Sequence, residues 1–373
     1  MQRRDALLRL SPGLATLLAA CASGGAPESG AARSTTAPSS TSSASAPASA
    51  PSPAATPIPA YPVFSFSNSS PHIVQIDPAT NRIARTKDVP NLGVWATNDD
   101  NCYFDGKHAW LGARNPANDD VEVMLLDLDT LEITRRIPLG KDRTTVYIGK
   151  GSRLNQLFVA KHASGQMSVI DTKTFQVLET KDVPVNGGVA CDMDVATGPD
   201  GIERAFIPTD TGDTTISINT ATREVIGTYT HTKGVRPYML TASPDGRYVW
   251  VQERTTDGQS VLDARTMQLV KHVPSGKSAF LNSFSPGGKL SYIGHNADNR
   301  VVVIDAVTFA HVKDIEVGTN AKDIAPQPNG KSIYAIATRE NLIAVIDTSN
   351  WAITARITLP ENPEYCYCRG PLS

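Results

Sequence analysis

Positive charge is not in surplus in this chain: 35 Lys and Arg stand against 37 Asp and Glu, a net charge of −2. That balance offers nucleic acid and anionic lipid no general attraction. No run of 18 or more apolar residues occurs, so no spanning helix is predicted. Cysteine is scarce, five residues in 373, and no Cys-x-x-Cys-His haem motif exists. Also missing are a Gly-x-Ser-x-Gly elbow, a phosphate-cradling glycine loop and a His-Glu-x-x-His pair. The catalytic signatures a sequence can display by itself are therefore absent.

What the chain does have is repetition, clearest over 280–359 as two consecutive copies of one unit. Each copy has a Pro-x-Gly turn, a strand with a central aromatic, a branched-aliphatic run ending in Asp, a Thr/Ser-rich turn and a final strand. The marker Asp falls at Asp77, Asp127, Asp171, Asp263, Asp305 and Asp347, with Asn219 in the same role. An aromatic lies 13 residues earlier in six copies: Phe64, Phe158, Phe206, Trp250, Tyr292 and Tyr334. In the seventh, Trp110 lies 17 before Asp127, which places an insertion of about four residues within 115–120. Each unit reads as four strands, A to D, because Val and Ile suit a pleated surface and Gly, Asn, Asp and Pro supply turns. Seven such units predict an all-β, seven-bladed propeller over 61–373. The first unit begins at strand B, over 61–67, and lacks an A strand. The tail around Tyr365–Cys368 aligns with the A strands, so it is expected to complete blade 1 and close the ring.

The stretches SPDGRYVWV (243–251), SPGGKLSYIGHNADNRVVVID (285–305) and MSVIDTKTFQVLET (167–180) resemble the YVTN family of seven-bladed propellers. No copy spells YVTN, and blades 1 to 4 are degenerate. The resemblance implies the fold. It also implies a kinship with the propellers of amine dehydrogenases and haem-containing nitrite reductases, and nucleic-acid binding is known among the relatives.

Residues 1–20 read as a leader: Arg3, Arg4 and Arg9 precede the short apolar stretch 14–20, and Leu18-Ala19-Ala20-Cys21 matches a lipobox. Cys21 is expected to carry lipid, anchoring the protein to the bacterial envelope without spanning it, at the outer membrane facing the periplasm. Arg3-Arg4 also fits a twin-arginine signal, with ordinary secretion as the alternative. Residues 21–60 hold the lipidated Cys and an Ala/Ser/Thr/Pro tether expected to be disordered. Loss of the leader's three Arg and one Asp takes the net charge from −2 to −4.

The ligand site expected of such a ring is the channel mouth formed by the D-to-A connections. These supply Trp95, Arg143, Arg236, Tyr238, Lys277, Phe280, Lys322 and Tyr365. Cations and aromatics together suit an anionic or planar ligand. The alternative is packing aromatics and solvated cations. Asp99, Asp100, Asp192, Asp194, Asp323 and Glu364 map to the same region and offer to neutralise the cations. Asp192 and Asp194 with Cys191 nearby read as structural, not as a metal site, and Asp210 to Asp213 as a B–C turn. No cofactor is expected on the main reading, and no catalytic role is assigned to His162 or His295.

Cys102 is expected on strand A of blade 2, beside the closing strand, where a bridge to Cys368 or Cys366 would lock the ring; free thiols are the alternative. Cys366 and Cys368 are read as facing opposite ways. The function expected is a non-catalytic, monomeric binding scaffold for an envelope protein or small ligand. The alternatives are a haem- or quinone-handling oxidoreductase and, less so, a single-stranded nucleic-acid binder.

Overall fold

The computed structural model describes residues 61–67, 72–89, 103–115, 117–360 and 362–369. The leader, Cys21, the tether, Trp95, Asp99, Asp100 and Cys102 lie outside the described residues. The described chain is all-β, seven antiparallel sheets arranged as a propeller with one short 3-10 turn at Thr338–Glu340. Each blade runs A-B-C-D from axis to rim. Blade 6 is typical: Ala279–Phe284, Leu290–His295, Arg300–Asp305 and His311–Glu316. Blade 1 is completed as expected. Tyr365–Cys368 pairs antiparallel with Val63–Phe66, in the register Val63 to Cys368 and Phe66 to Tyr365. The insertion in blade 2 lengthens the hairpin His108–Asn115/Asp120–Asp127, whose strands have eight residues each.

The two sequence markers each have a physical cause. The seven aromatics of strand B are all at most 2% exposed, wedged between neighbouring blades. The marker Asp caps the C–D turn: Asp305 Oδ1, for example, accepts from Val307 N at 2.9 Å and Thr308 N at 2.7 Å, and Asn219 does the same for Ala221 and Thr222. These are Asx turns, which only a short side-chain acceptor can form. Strand C is covered on both faces, which is why it reads as an unbroken aliphatic run instead of alternating. Each fully buried aliphatic there contributes roughly 1.5–3 kcal/mol. Strand D, at the rim, is largely open to solvent.

Around the axis the A strands present an inner edge of N–H groups with no strand beside them. Carboxylates meet that need. Asp192 accepts from Leu240 N at 2.7 Å and Asp194 from Ala242 N at 2.9 Å, tying blade 4 to blade 5. Asp323 accepts from Cys366 N at 2.6 Å, tying blade 7 to the closing strand. Hydroxyls continue the ring: Thr241 donates to Asn282 O and Ser283 to Ile324 O.

One expectation about cysteine needs correction. Cys366 and Cys368 share a face, since residues two apart on a strand point the same way. Both thiols turn to blade 7, donating to Tyr334 O and Ala325 O. Cys191, Cys366 and Cys368 are free and buried; Cys102, the expected partner of a bridge, lies outside the described residues.

Candidate functional site

The end of the channel where the A strands begin opens into a cavity of about 430 Å³. Five of the eight residues named from sequence line it: Arg143, Tyr238, Phe280, Lys322 and Tyr365. They converge because the first residue or two of each A strand points to the axis at the same height. Arg236 and Lys277 are not among them. Arg236 turns outward to Asp210, with Nε and Nη2 at 2.7 and 2.9 Å from its carboxylate, and Lys277 is exposed on its turn.

Sequence reasoning missed Tyr147, Arg254, Arg114 and Asn296, and named His162 without placing it at the mouth. Tyr147 carried a signal, since it lies 24 residues before its marker while Tyr238, Phe280 and Lys322 lie 25 before theirs. The other four come from the ends of B strands and the B–C turns. Those turns vary in length, so no shared offset exposed them.

The cavity wall is built of rings carrying charges. Tyr147 and Tyr238 meet at 3.4 Å between hydroxyls, and Tyr238 and Phe280 rings lie 5.6 Å apart. The Arg254 guanidinium stacks 3.5 Å above the Tyr238 ring. The Lys322 ammonium sits 4.9 Å from the Phe280 ring centre and 4.6 Å from that of Tyr365. Burial raises both the Tyr147 and the Tyr238 phenols, so they are neutral donors at pH 7.

Three of the acids named from sequence are committed elsewhere. Asp192, Asp194 and Asp323 are spent on the backbone N–H groups described above, and Lys150 Nζ reaches Asp194 at 2.7 Å from the far end of the channel. Asp142 takes backbone N–H groups of Thr144, Ser164 and Ala163; burial pushes its carboxyl up, but these donors outweigh it and hold it low. Among the described residues lining the cavity Glu364 is the only carboxylate, against Arg114, Arg143, Arg254 and Lys322, but Arg114 pairs with Asp119 at 2.7 Å and Arg254 with Asp210 at 3.5 Å. Arg143 keeps no partner among the described residues and Lys322 only long ones, so these two cations are the ones placed to receive an anion.

One nucleophile–base couple stands at the cavity's edge. Cys191 Sγ lies 3.3 Å from His162 Nε2. Burial, aided by the charge of Asp210, raises the thiol, and burial lowers the imidazole. The pair is therefore a neutral hydrogen bond, and Cys191 has no exposed surface. It also occupies the nitrogen that His162 would need as a haem ligand. No group of three or more His, Cys, Asp and Glu converges as a metal site among the described residues.

The opposite end of the channel is larger, about 740 Å³, but plainer. Its walls are mostly Ser, Thr, Ala and Pro at the ends of the A strands, with Phe284 and Tyr367 as its aromatics and Lys150 as the one cation among the described residues. Volume favours that end and chemistry favours the mouth; specificity needs placed polar groups, so the mouth is the candidate site.

No family model and no curated protein matches the chain. Solved structures do. A protein from Lactobacillus plantarum aligns over 83% of this chain and 99% of its own at 12% identity and a TM-score of 0.66. A candidate 6-phosphogluconolactonase of Bacteroides fragilis aligns over 86% and 99% at 14% identity and 0.62. Hydrazine synthase of Kuenenia stuttgartiensis aligns over 73% and 94% at 16% and 0.57, and dihydro-haem d1 dehydrogenase NirN, in complex with DHE, over 83% and 67% at 14% and 0.57. At these identities the chain is similar to them in fold, and the fold they share with it is the β-propeller.

Proposed function

We propose that this protein is a lipid-anchored, non-catalytic propeller of the YVTN type that binds a small ligand or an envelope partner at its channel mouth. The observation that carries the reading is the convergence of Tyr147, Tyr238, Phe280 and Tyr365 with Lys322 on one cavity. Stacking faces and a cation are recognition chemistry. The couple at the cavity's edge, Cys191 with His162, is neutral and out of reach, and a second, Thr215 with His231 and Glu253, is buried, which weighs against covalent catalysis at the mouth. Lipidation at Cys21 and the tether of 21–60 would place the mouth in the periplasm, off the membrane surface.

The test is native mass spectrometry and copurification of the mature protein from its own envelope. The reading expects a diacylglyceryl-modified Cys21 and a bound species lost in Tyr238→Ala and Tyr147→Ala variants. A partner retained by both variants would move the site elsewhere.

A second reading, a haem- or quinone-handling propeller, draws support from the fold it shares with hydrazine synthase and NirN. A ring system could stack on the mouth tyrosines, but His162 is already engaged. Absorbance beyond the aromatic band in freshly purified protein, or a spectral change on adding haem or a quinone, would favour it over the scaffold.

A further inference from the structure

We propose that the mouth is a receptor for small aromatic carboxylates, with Lys322 as the carboxylate anchor; this rests on the binding-site reading above and names its ligand class. Lys322 is 8% exposed and lines the cavity. An ammonium has three donors to place. The protein gives this one only long contacts: the Tyr365 hydroxyl at 3.5 Å and Glu364 Oε2 at 3.3 Å. That carboxylate oxygen accepts no hydrogen bond of proper geometry although it is buried. The faces of Phe280 and Tyr365 hold the charge in position without taking up its protons. A cation drawn out of water and left with unspent donors is costly, and a ligand oxygen completes it.

A second cation lies across the axis. Arg143, on the turn entering blade 3, lines the same cavity and has no hydrogen-bond or ion-pair partner among the described residues. Blades 7 and 3 stand three steps apart around a ring of seven, so the two cations face each other over the opening. The rings of Tyr238 and Phe280 lie between them. Arg114 and Arg254 are paired with Asp119 and Asp210, so Lys322 and Arg143 are the cations left to select an anion; with ring faces between these two, the lining selects a flat one. A cavity of about 430 Å³ suits a one- or two-ring acid.

The test is calorimetric titration of the mature protein with naphthalene-2,6-dicarboxylate, beside two controls. Naphthalene-2-methanol has the ring without the charge, and succinate the charge without the ring. The dicarboxylate is expected to bind at least about tenfold more tightly than either, and less tightly at high salt. Lys322→Met keeps the apolar stem between the rings and is expected to weaken the dicarboxylate about tenfold while leaving the neutral control unchanged. Arg143→Gln, on an exposed turn that no folding contact needs, is expected to do the same to a lesser degree. Equal affinity for the neutral control, an unchanged K322M affinity, or no binding to folded protein would each overturn the proposal. Should the probes fail while mouth variants still shed a copurified species, the ligand class falls and the binding site stands. Should both fail, the site falls too.

Discussion

The Tyr334 hydroxyl donates to Asn81 Oδ1 at 3.2 Å, across the seam between the last blade and the first. Tyr334 is the buried aromatic of strand B in blade 7. Asn81 lies four residues past the marker Asp77, in a left-handed conformation at φ 53°. The same offset recurs in every blade: Leu131, Phe175, Arg223, Met267, Phe309 and Trp351 are all left-handed, with φ between 54° and 63°. Several of them reach back to the strand B aromatic of the preceding blade. Phe175 packs on Trp110 at 5.8 Å, Phe309 on Trp250 at 5.7 Å and Trp351 on Tyr292 at 6.4 Å. The repeat is therefore held by a strained turn residue of one blade over an aromatic of its neighbour.

This makes Trp351 a place where two costs can be separated. Trp351→Ala should lose the contact with Tyr292 and keep the φ of 63°, lowering stability by about 1–3 kcal/mol. Trp351→Gly loses the same contact but relieves a left-handed cost of about 1–2 kcal/mol. Urea unfolding should therefore find the glycine variant no less stable than the alanine one. The reverse order would mean that the turn is not strained.

Gly246 and Gly287 offer a matched pair from the A–B turns. Both have positive φ, 66° and 84°. A Cβ at Gly246 would collide with the Thr197 carbonyl of blade 4, while at Gly287 it would meet open space. Gly287→Ala should cost about 1 kcal/mol, the backbone term alone. Gly246→Ala should cost several kcal/mol more than that, read from melting or urea midpoints. Equal costs would show that blade 4 yields.

Asp323 should make ring closure sensitive to pH. Its carboxyl is raised to about 7, burial outweighing the N–H donors of Cys366 and Ile324. The folded state thus binds its proton more tightly than the unfolded one, whose value is near 3.8. The sign follows: its contribution is complete below pH 4, is lost as pH rises toward 7, and is flat beyond. Asp323→Asn removes that titration. The stability of wild type relative to D323N should fall by roughly 2–4 kcal/mol between pH 4 and pH 8. A difference independent of pH would contradict it.

Burial raises all three described thiols, those of Cys191, Cys366 and Cys368. At pH 8 iodoacetamide should label their peptides at least about a hundredfold more slowly in native protein than in urea. A peptide carrying Cys368 that resists alkylation in urea until a reductant is added would reveal a bridge after all.

The blade count and the closing strand were legible because they depend on residues that few others can replace. An Asx turn needs Asp or Asn, so Asp305 and Asn219 announce the end of strand C. A wedge between blades needs a large ring, so Trp250 and Tyr292 announce strand B. Tyr238, Phe280 and Lys322 were legible at the mouth through their shared offset from those markers. Arg236 was misjudged because its position does not say which way a long side chain leans, and the carboxylate of Asp210 claimed it. Arg254 went unseen, and His162 was not placed at the mouth, because B–C turns keep no fixed length. The left-handed turn residue was also unseen, because Phe, Arg, Met and Trp share no side-chain chemistry that would mark it.

Val63 and Cys368 are partners although they stand about 300 residues apart in the chain. The innermost strand of the first blade is therefore made only after the other strands of all seven blades, while the middle blades can gather in order as they emerge. Until then the nascent ring carries an unmated edge on Val63–Phe66, a surface that invites pairing with other chains. The pace of translation sets how long that invitation stays open.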